Sequence, residues 1–475
     1  MAQLTPGTRF LSDVPARLDR LPWSPWHWRI VVALGVTWML DGLEVTLVGA
    51  VAPLLARPDT LHLDDAQIGA AATAYLAGAI VGALVFGRLS DMFGRKRLFF
   101  VTLALYVAAT AMTALSWSFA SFATFRALTG AGIGGESSAV NSAIDELLPA
   151  RVRGHADLAI NGTYWLGTAL GAVVTLAVVN ASLVPGALAW RVAFLVGAVL
   201  GAGILLFRRH LPESPRWLLL HGYVDRADAV TRVIEKHVAR HRPLPPHGPD
   251  AMLTAKGTVT FAAIARELVR RHPRRTILGM SLMIAQAFAY NGVFFTYALV
   301  LVRFYGVPAG SIGLYLVPFA IANMLGPIVL GGLFDRIGRR PMIATTYMLA
   351  GVLIAVAGAG LAGGWLTAVT QTMLWSIAFF VASAAASSAY LTVSELFPVE
   401  LRGMAIALFY ALGTAAGGAA APALFGALVQ TGERGRVLDA YLVGAVLMEL
   451  GGIAAAVLGV PAERKSLEQI AELPR

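Results

Sequence analysis

A chain of 475 residues that is 57% hydrophobic and only 13% charged, with a mean hydropathy of +0.70, is not an ordinary soluble enzyme. Apolar runs of membrane-spanning length recur along all of it. It has no cysteine, which excludes disulfides, thiolate metal ligands and thiol nucleophiles. A net charge of +10 admits nucleic acid as a partner until the distribution of that charge is read.

The N-terminal segment, residues 1–27, contains Asp13, Pro15, Arg17, Asp19 and Arg20 and lacks the short apolar core and small-residue cleavage site of a signal peptide. It ends in Leu21-Pro22-Trp23-Ser24-Pro25-Trp26-His27-Trp28, an aromatic belt of the kind found where a chain enters the bilayer. Twelve apolar spans follow, at roughly 28–55, 66–87, 98–115, 118–146, 155–180, 190–207, 276–302, 311–334, 342–361, 364–390, 404–430 and 437–460. Their abundant Gly and Ala suit close helix packing in lipid. With the N-terminus inside, 31 of the 37 Lys and Arg fall in cytoplasmic segments. That asymmetry predicts both termini in the cytoplasm; the membrane expected is the plasma membrane, a bacterial inner membrane. It also accounts for the net charge without nucleic acid; the partners are the lipid bilayer, a small-molecule substrate and protons.

The first span carries the costliest residues. Asp41 lies thirteen residues into the run that begins at Trp28, about 20 Å along a helix axis and near the bilayer midplane. Glu44, three residues on, shares its helical face. An ionised side chain there costs at least about 2.5–3.5 kcal/mol, so two together point to a proton or substrate site. Few other ionisable residues fall inside spans: Arg126, Glu136 and Glu449. By helix rise Arg126 should lie about 9 Å outward of the centre of span four and Glu136 about 6 Å inward. Glu44 is then nearer the level of Arg126, and Asp41 lies between Arg126 and Glu136. The expectation is that Arg126 pairs with Glu44 or Asp41 when no proton is bound, and that protonation frees its planar fork for an anionic substrate. Asp41, Glu44, Arg126 and Glu136 are thus the proton-coupling candidates, with a structural ion pair between spans one and four as the alternative for Arg126 and a partner for backbone amides of the glycine-rich helix as the alternative for Glu136. Glu449, on the last span, is taken as scaffold.

The one long polar segment, residues 208–275, carries 14 basic residues and the stretch Arg242 to Pro249 with its four prolines, which can be neither helix nor strand. Residues 225–240 have helical composition and lie at the membrane surface. The segment divides the chain into 28–207 and 276–460, with a cytoplasmic tail at 461–475.

The two halves repeat each other. Gly87-Arg88-Leu89-Ser90-Asp91-Met92-Phe93-Gly94-Arg95-Lys96-Arg97 is echoed by Gly331-Gly332-Leu333-Phe334-Asp335-Arg336-Ile337-Gly338-Arg339-Arg340, the Asp residues standing 244 positions apart. A second pair, Glu146-Leu147-Leu148-Pro149-Ala150-Arg151-Val152-Arg153-Gly154 and Glu395-Leu396-Phe397-Pro398-Val399-Glu400-Leu401-Arg402-Gly403, is offset by 249. Two motifs at nearly one offset imply two six-span bundles of like orientation around a central pathway. In each, Gly makes the turn, Asp can accept from a helix N-terminus, and Arg reaches carbonyls and acids. Gly87, Asp91, Gly94, Arg95, Asp335, Gly338, Arg339, Glu146, Arg153, Glu395 and Arg402 are therefore candidates for a cytoplasmic gate that parts and re-forms as the halves rock.

These residues resemble the major facilitator superfamily over nearly the whole chain. The Gly-x-Leu-x-Asp-x-x-Gly-Arg-Arg/Lys loop is its signature. Arg126 with Gly130, Gly132 and Gly134, Pro212-Glu213-Ser214-Pro215-Arg216-Trp217-Leu218 and the two Glu-x-x-Pro-x-x-x-Arg-Gly turns are similar to the sugar-porter and metabolite–proton symporter branches. Asp41-Gly42-Leu43-Glu44 is similar to the Asp-Gly-x-Asp of aromatic-acid–proton symporters and niacin-type transporters, with Glu44 one methylene longer than the second Asp. The resemblance implies an all-α integral membrane protein, twelve transmembrane helices in two pseudo-symmetric six-helix bundles around a central cavity, usually monomeric. It also suggests where a substrate binds: Asn161, Tyr164 and Trp165 on span five, Gln286, Tyr290 and Asn291 on span seven, and Trp375 and Tyr390 on span ten, together with Arg126. Tyr390 stands where a sugar porter has Trp, and Gly413 to Gly418 offer almost no polar side chain. A buried hexose, whose unpaired hydroxyls cost about 1–3 kcal/mol each, is poorly served. Flat walls with single polar tips suit an aromatic or small amphipathic ligand.

The function expected is proton-coupled symport of a small organic acid, possibly an aromatic carboxylate, by alternating access. The alternatives are a proton antiporter exporting drugs or organic cations, a sugar or polyol–proton symporter, and a membrane nutrient sensor that moves nothing. No nucleophile–base set, nucleotide loop or metal-binding spacing among the nine His supports an enzyme, a metal site or a cofactor.

Overall fold

The computed structural model describes residues 8–180, 185–208, 211–254, 260–308, 311–397 and 402–472. Residues 398–401 of the second Glu-x-x-Pro turn and the ends of the N-terminal segment and of the tail lie outside the described residues.

The chain is mostly helical, with one exception to the all-α expectation. A strand β1 (Arg9–Ser12) pairs antiparallel with β2 (Ala251–Thr254), Phe10 opposite Leu253. A four-residue strand whose partner lies some 240 positions away has no local signature, because the pairing itself supplies the order. Between and around them lie the short helices α1 (Val14–Asp19), α8 (Pro215–Leu220), α9 (Val224–Ala239), α10 (Phe261–Arg271) and α18 (Leu467–Glu472). Arg17 joins α1 to α9 through Asp228 at 2.7 Å and Glu235 at 2.6 Å.

The long helices of the first half are α2 (Pro25–Leu55), α3 (Asp65–Phe93), α4 (Arg95–Ala114), α5 (Phe119–Leu147), α6 (Arg153–Asn180) and α7 (Gly186–Arg208). Those of the second are α11 (Pro273–Tyr305), α12 (Ile312–Arg336), α13 (Arg339–Gly363), α14 (Ala368–Leu396), α15 (Arg402–Gly413), α16 (Ala420–Gln430) and α17 (Arg434–Leu458). Nine helices among the described residues are long and apolar enough to cross a membrane. Capping boxes set several starts: Asp64 with Gln67, Ser118 with Ser121 and Thr367 with Thr370. The α3–α4 and α12–α13 turns pivot on Gly94 (φ +97°) and Gly338 (φ +119°), where a side chain would be strained.

The stretch read as one span at 404–430 is interrupted. Thr414–Gly418 form a π turn between α15 and α16, where a Cβ on Gly417 would stand 2.5 Å from the Ile284 carbonyl oxygen. The absent side chains let this segment press against α11, and the π turn re-aims Thr414.

Packing follows small residues. α2 lies along α6, with Gly42 against the Tyr164 carbonyl and Gly167 against that of Met39; α3 lies along α5. In the second half α13 packs on α17 and α12 on α14. α6 also packs on α12, and α3 and α5 on α15, so the two halves of the sequence meet closely at the motif end.

Candidate functional site

Asp41 and Glu44 leave α2 toward different surroundings. Asp41 is partly exposed and borders a cavity of about 180 Å³, where its Oδ1 accepts from the Tyr75 hydroxyl at 2.7 Å. Glu44 is fully buried and its Oε1 accepts from Arg126 Nη1 of α5. Arg126 is itself 1% exposed, its guanidinium lying 4.6 Å from the centre of the Tyr75 ring. One ring thus rests on the Arg126–Glu44 pair and touches Asp41 with its hydroxyl. The pairing of Arg126 with Glu44 rather than Asp41 matches their expected levels.

The cavity gathers most of the substrate-binding candidates. Asn161, Tyr164 and Trp165 of α6, Gln286, Tyr290 and Asn291 of α11 and Tyr390 of α14 all line it. Trp165 and Tyr290 lie 5.6 Å apart across the two halves, and Trp38 of α2 meets Tyr390 edge-on at 5.6 Å. Asn161 and Asn291 spend their amide donors on carbonyls of their own helices, at 2.9 and 2.7 Å. Tyr290 donates to Asn323 at 2.9 Å.

Three candidates stand elsewhere. Trp375 is fully buried against Tyr297 at 4.8 Å, in the packing of α11 with α14, because its position on α14 faces into the helix bundle. Arg126 does not border the cavity, since Tyr75 lies between. Glu136 borders a separate, water-sized cleft with Asp41, Thr37 and Ser137. Sequence reasoning missed Trp38, Tyr75, Tyr410 and Thr414 as cavity residues. Trp38 lay three positions from Asp41, one turn away on the same face, which was signal enough; Tyr75 and Tyr410 carried none without knowledge of which helices adjoin.

At the motif end the repeated residues make matching clusters. Arg95 donates to Asp91 at 2.8 Å and Glu146 at 3.0 Å, and Arg339 to Asp335 at 2.8 Å and to both oxygens of Glu395 at 3.0 and 3.1 Å. Reciprocal contacts link the halves. Asp335 Oδ2 accepts from the amide of His155 at the start of α6, at 2.8 Å, and Asp91 approaches Gly403 at the start of α15. Arg153 approaches Glu395 at 4.0 Å, and Arg402 approaches Asp145 at 3.7 Å. Gly87 supplies no contact of this set; Gly94 and Gly338 supply the turns.

A third repeat escaped notice. The amide of Arg95 donates to Glu213 at 2.9 Å and that of Arg339 to Glu463 at 3.3 Å. Pro212-Glu213 and Pro461-Ala462-Glu463 therefore serve matching turns, the second from what read as a plain tail. Burial pushes the Glu213 carboxyl up, against the amides of Ser214, Lys96 and Arg95 and the Arg95 charge, which hold it down.

A family model described as sugar (and other) transporter matches residues 26–473. The chain belongs to this family. It is thus a membrane transporter of the major facilitator superfamily and not an enzyme. It is 27% identical over 411 residues to the niacin transporter NiaP of Acinetobacter baylyi, covering 86% of this chain and 89% of that one. To the 4-hydroxybenzoate transporter PcaK of the same organism it is 25% identical over 418 residues, 84% of this chain and 85% of the other. The solved structure of the proton:xylose symporter XylE bound to 6-bromo-6-deoxy-D-glucose superposes with a TM-score of 0.76 at 19% identity, over 94% of this chain and 98% of that one. The fold of this transporter is therefore that of XylE.

Proposed function

We propose that this transporter moves a small aromatic carboxylate together with a proton, by alternating access between two six-helix bundles, residues 28–207 and 276–460, that make twelve spans. Its motif end and both termini face the cytoplasm of a bacterial inner membrane, and it works as a monomer. The observation that carries the reading is that Asp41 is the one carboxylate among the described residues lining an otherwise aromatic and amide-walled cavity. An ionised Asp41 repels a carboxylate substrate; a protonated one is neutral and donates its O–H to it. Anion and proton then enter together and move no net charge, the site carrying the same single negative charge loaded as it does empty. Glu44 and Arg126 cancel each other beneath, and the ring of Tyr75 passes their arrangement to Asp41. The motif clusters act as the cytoplasmic gate. The names of the niacin and 4-hydroxybenzoate relatives, each denoting a small aromatic acid, agree with this.

The same acid among aromatic rings also favours a second reading, export of an organic cation in exchange for protons. Proteoliposomes separate the two. An inward proton gradient should accumulate nicotinate or 4-hydroxybenzoate inside and leave a hydrophobic cation unaffected. Cation efflux driven by the gradient, with no uptake of either acid, would overturn the proposal.

A further inference from the structure

Asp157 lies near the start of α6, one turn beyond Arg153, and belongs to no repeated motif. It is fully buried, and neither of its carboxylate oxygens has a hydrogen-bond partner. Its backbone carbonyl accepts from Asn161, which borders the cavity one turn away. Asp157 thus stands between the cavity and the gate clusters.

The groups that act on it most strongly are Asp145 from α5, Glu395 from α14 and Arg339 from α13. Two of these three are acids. Arg339 is committed to Asp335 and to both oxygens of Glu395. Arg402 holds Asp145 and the carbonyls of Ser394 and Phe397. Arg153 holds Asp19 and the Leu148 carbonyl. On α12, Asp335 is occupied by Arg339 and by the amide of His155. The other helices packed on α6, α2 and α7, supply none of the strongest-acting charges. A carboxylate so placed, with the Asn161 side chain as the donor acting on it and no dedicated cation, is disfavoured by the desolvation of its charge.

We propose that Asp157 is a second proton-binding site, occupied while the motif end is closed and emptied when it opens. Closed, the carboxyl is neutral among its acidic neighbours. Parting α6 from α12 and α14 admits water, the O–H bond breaks, the proton passes to water, and the electron pair stays on the carboxylate. Gate opening then releases a proton on the motif side independently of Asp41. By linkage, lowering the pH on that side favours closure, changing the open-to-closed ratio by up to about tenfold per pH unit. The inference rests on movement of the gate and not on the identity of the cargo.

The absence of cysteine makes the test direct. Spin labels are placed through Arg97→Cys and Arg336→Cys, both exposed at the motif end, and their separation is measured in liposomes from pH 5 to 9. The background is Asp41→Asn, which silences the cavity acid. The long-distance population should grow as pH rises. Adding Asp157→Asn should leave the closed distance at every pH. A merely structural residue would shift the populations and keep the pH slope. A distribution that does not respond to pH in Asp41→Asn, or a response that survives Asp157→Asn, overturns the proposal. Should Asp157→Asn fail to fold, Asp157→Ser is read in the same way, and the first arm needs no change at Asp157.

Discussion

Removing one partner of the Arg126–Glu44 pair should be far worse than removing both. Glu44 is 0% exposed and Arg126 1% exposed, so Glu44→Gln leaves a guanidinium with no compensating charge in a dry site. Breaking such a pair costs about 3–5 kcal/mol, whereas replacing both members with apolar or neutral groups of similar volume is close to neutral. Arg126→Met additionally loses the cation resting on Tyr75, about 0.5–2 kcal/mol. Glu44→Gln, Arg126→Met and the double variant form a cycle whose coupling should therefore reach about 3 kcal/mol. The assay is thermal unfolding in detergent followed by tryptophan fluorescence, with ten Trp residues as probes. Each single variant should unfold well below the parent and the double variant well above either single. The reasoning is refuted if Glu44→Gln unfolds with the parent, or if the double variant is no more stable than the worse single.

Asp41→Asn should abolish proton-driven accumulation while leaving substrate exchange across equal pH, because the site then remains permanently neutral; uptake against a gradient would count against the coupling role. Gly403→Ala places a methyl 2.5 Å from Asp91 Oδ1 and should raise the labelling of a cysteine introduced behind the gate several-fold, while unchanged labelling would show that the contact does not close it. The β1–α1–α9 surface should loosen in acid. The Arg17 hydrogen bond lowers the Asp228 carboxyl, and at Glu235 the hydrogen bonds and charges of Arg17 and Arg20 together outweigh the larger single effect of burial, so that it too is lowered. Depressed folded values give stability present above the unfolded values, about 4, and lost as pH falls through the folded ones. Hydrogen exchange of residues 9–19 should accordingly rise below about pH 4, and Arg17→Ala should raise it at neutral pH; protection unchanged in both would refute this.

The turns and the helices were legible because their signals are local. Capping residues, apolar length and the Gly-x-Leu-x-Asp-x-x-Gly loops report on the few residues around them. The level of Glu44 against Arg126 was legible too, since helix rise fixes depth along an axis. What stayed hidden were rotations and non-local partners. Asp41 and Glu44 share a face broadly, yet a turn of some 60° between positions i and i+3 sends one to the cavity and the other to Arg126. Trp375 read as a pocket residue from its span alone, and only the packing of α14 on α11 places it inside. The β1–β2 pairing, the π turn at Thr414 and the service of Glu463 to the Arg339 turn all depend on a partner far away in sequence.

The repeat is symmetric at the gate and asymmetric at the cavity, and the contrast bears on how the proposed symport is divided. At the motif end each half contributes the same parts, because each Asp needs a helix start and each Arg an acid, and these are supplied reciprocally: Asp335 to His155, Asp91 toward Gly403. In the cavity the first half brings Asp41, resting through Tyr75 on Arg126 and Glu44. The matching helix of the second half, α11, brings Gln286, Tyr290 and Asn291 instead. A proton binder placed in both halves would set two like charges across one small cavity, each raising the cost of ionising the other. One acid facing a wall of amides and rings avoids that, so that on the proposed reading the first half carries the proton and the second half holds the ring of the ligand. Changes at Gln286 or Asn291 would then alter which substrate is taken while leaving its dependence on pH in place.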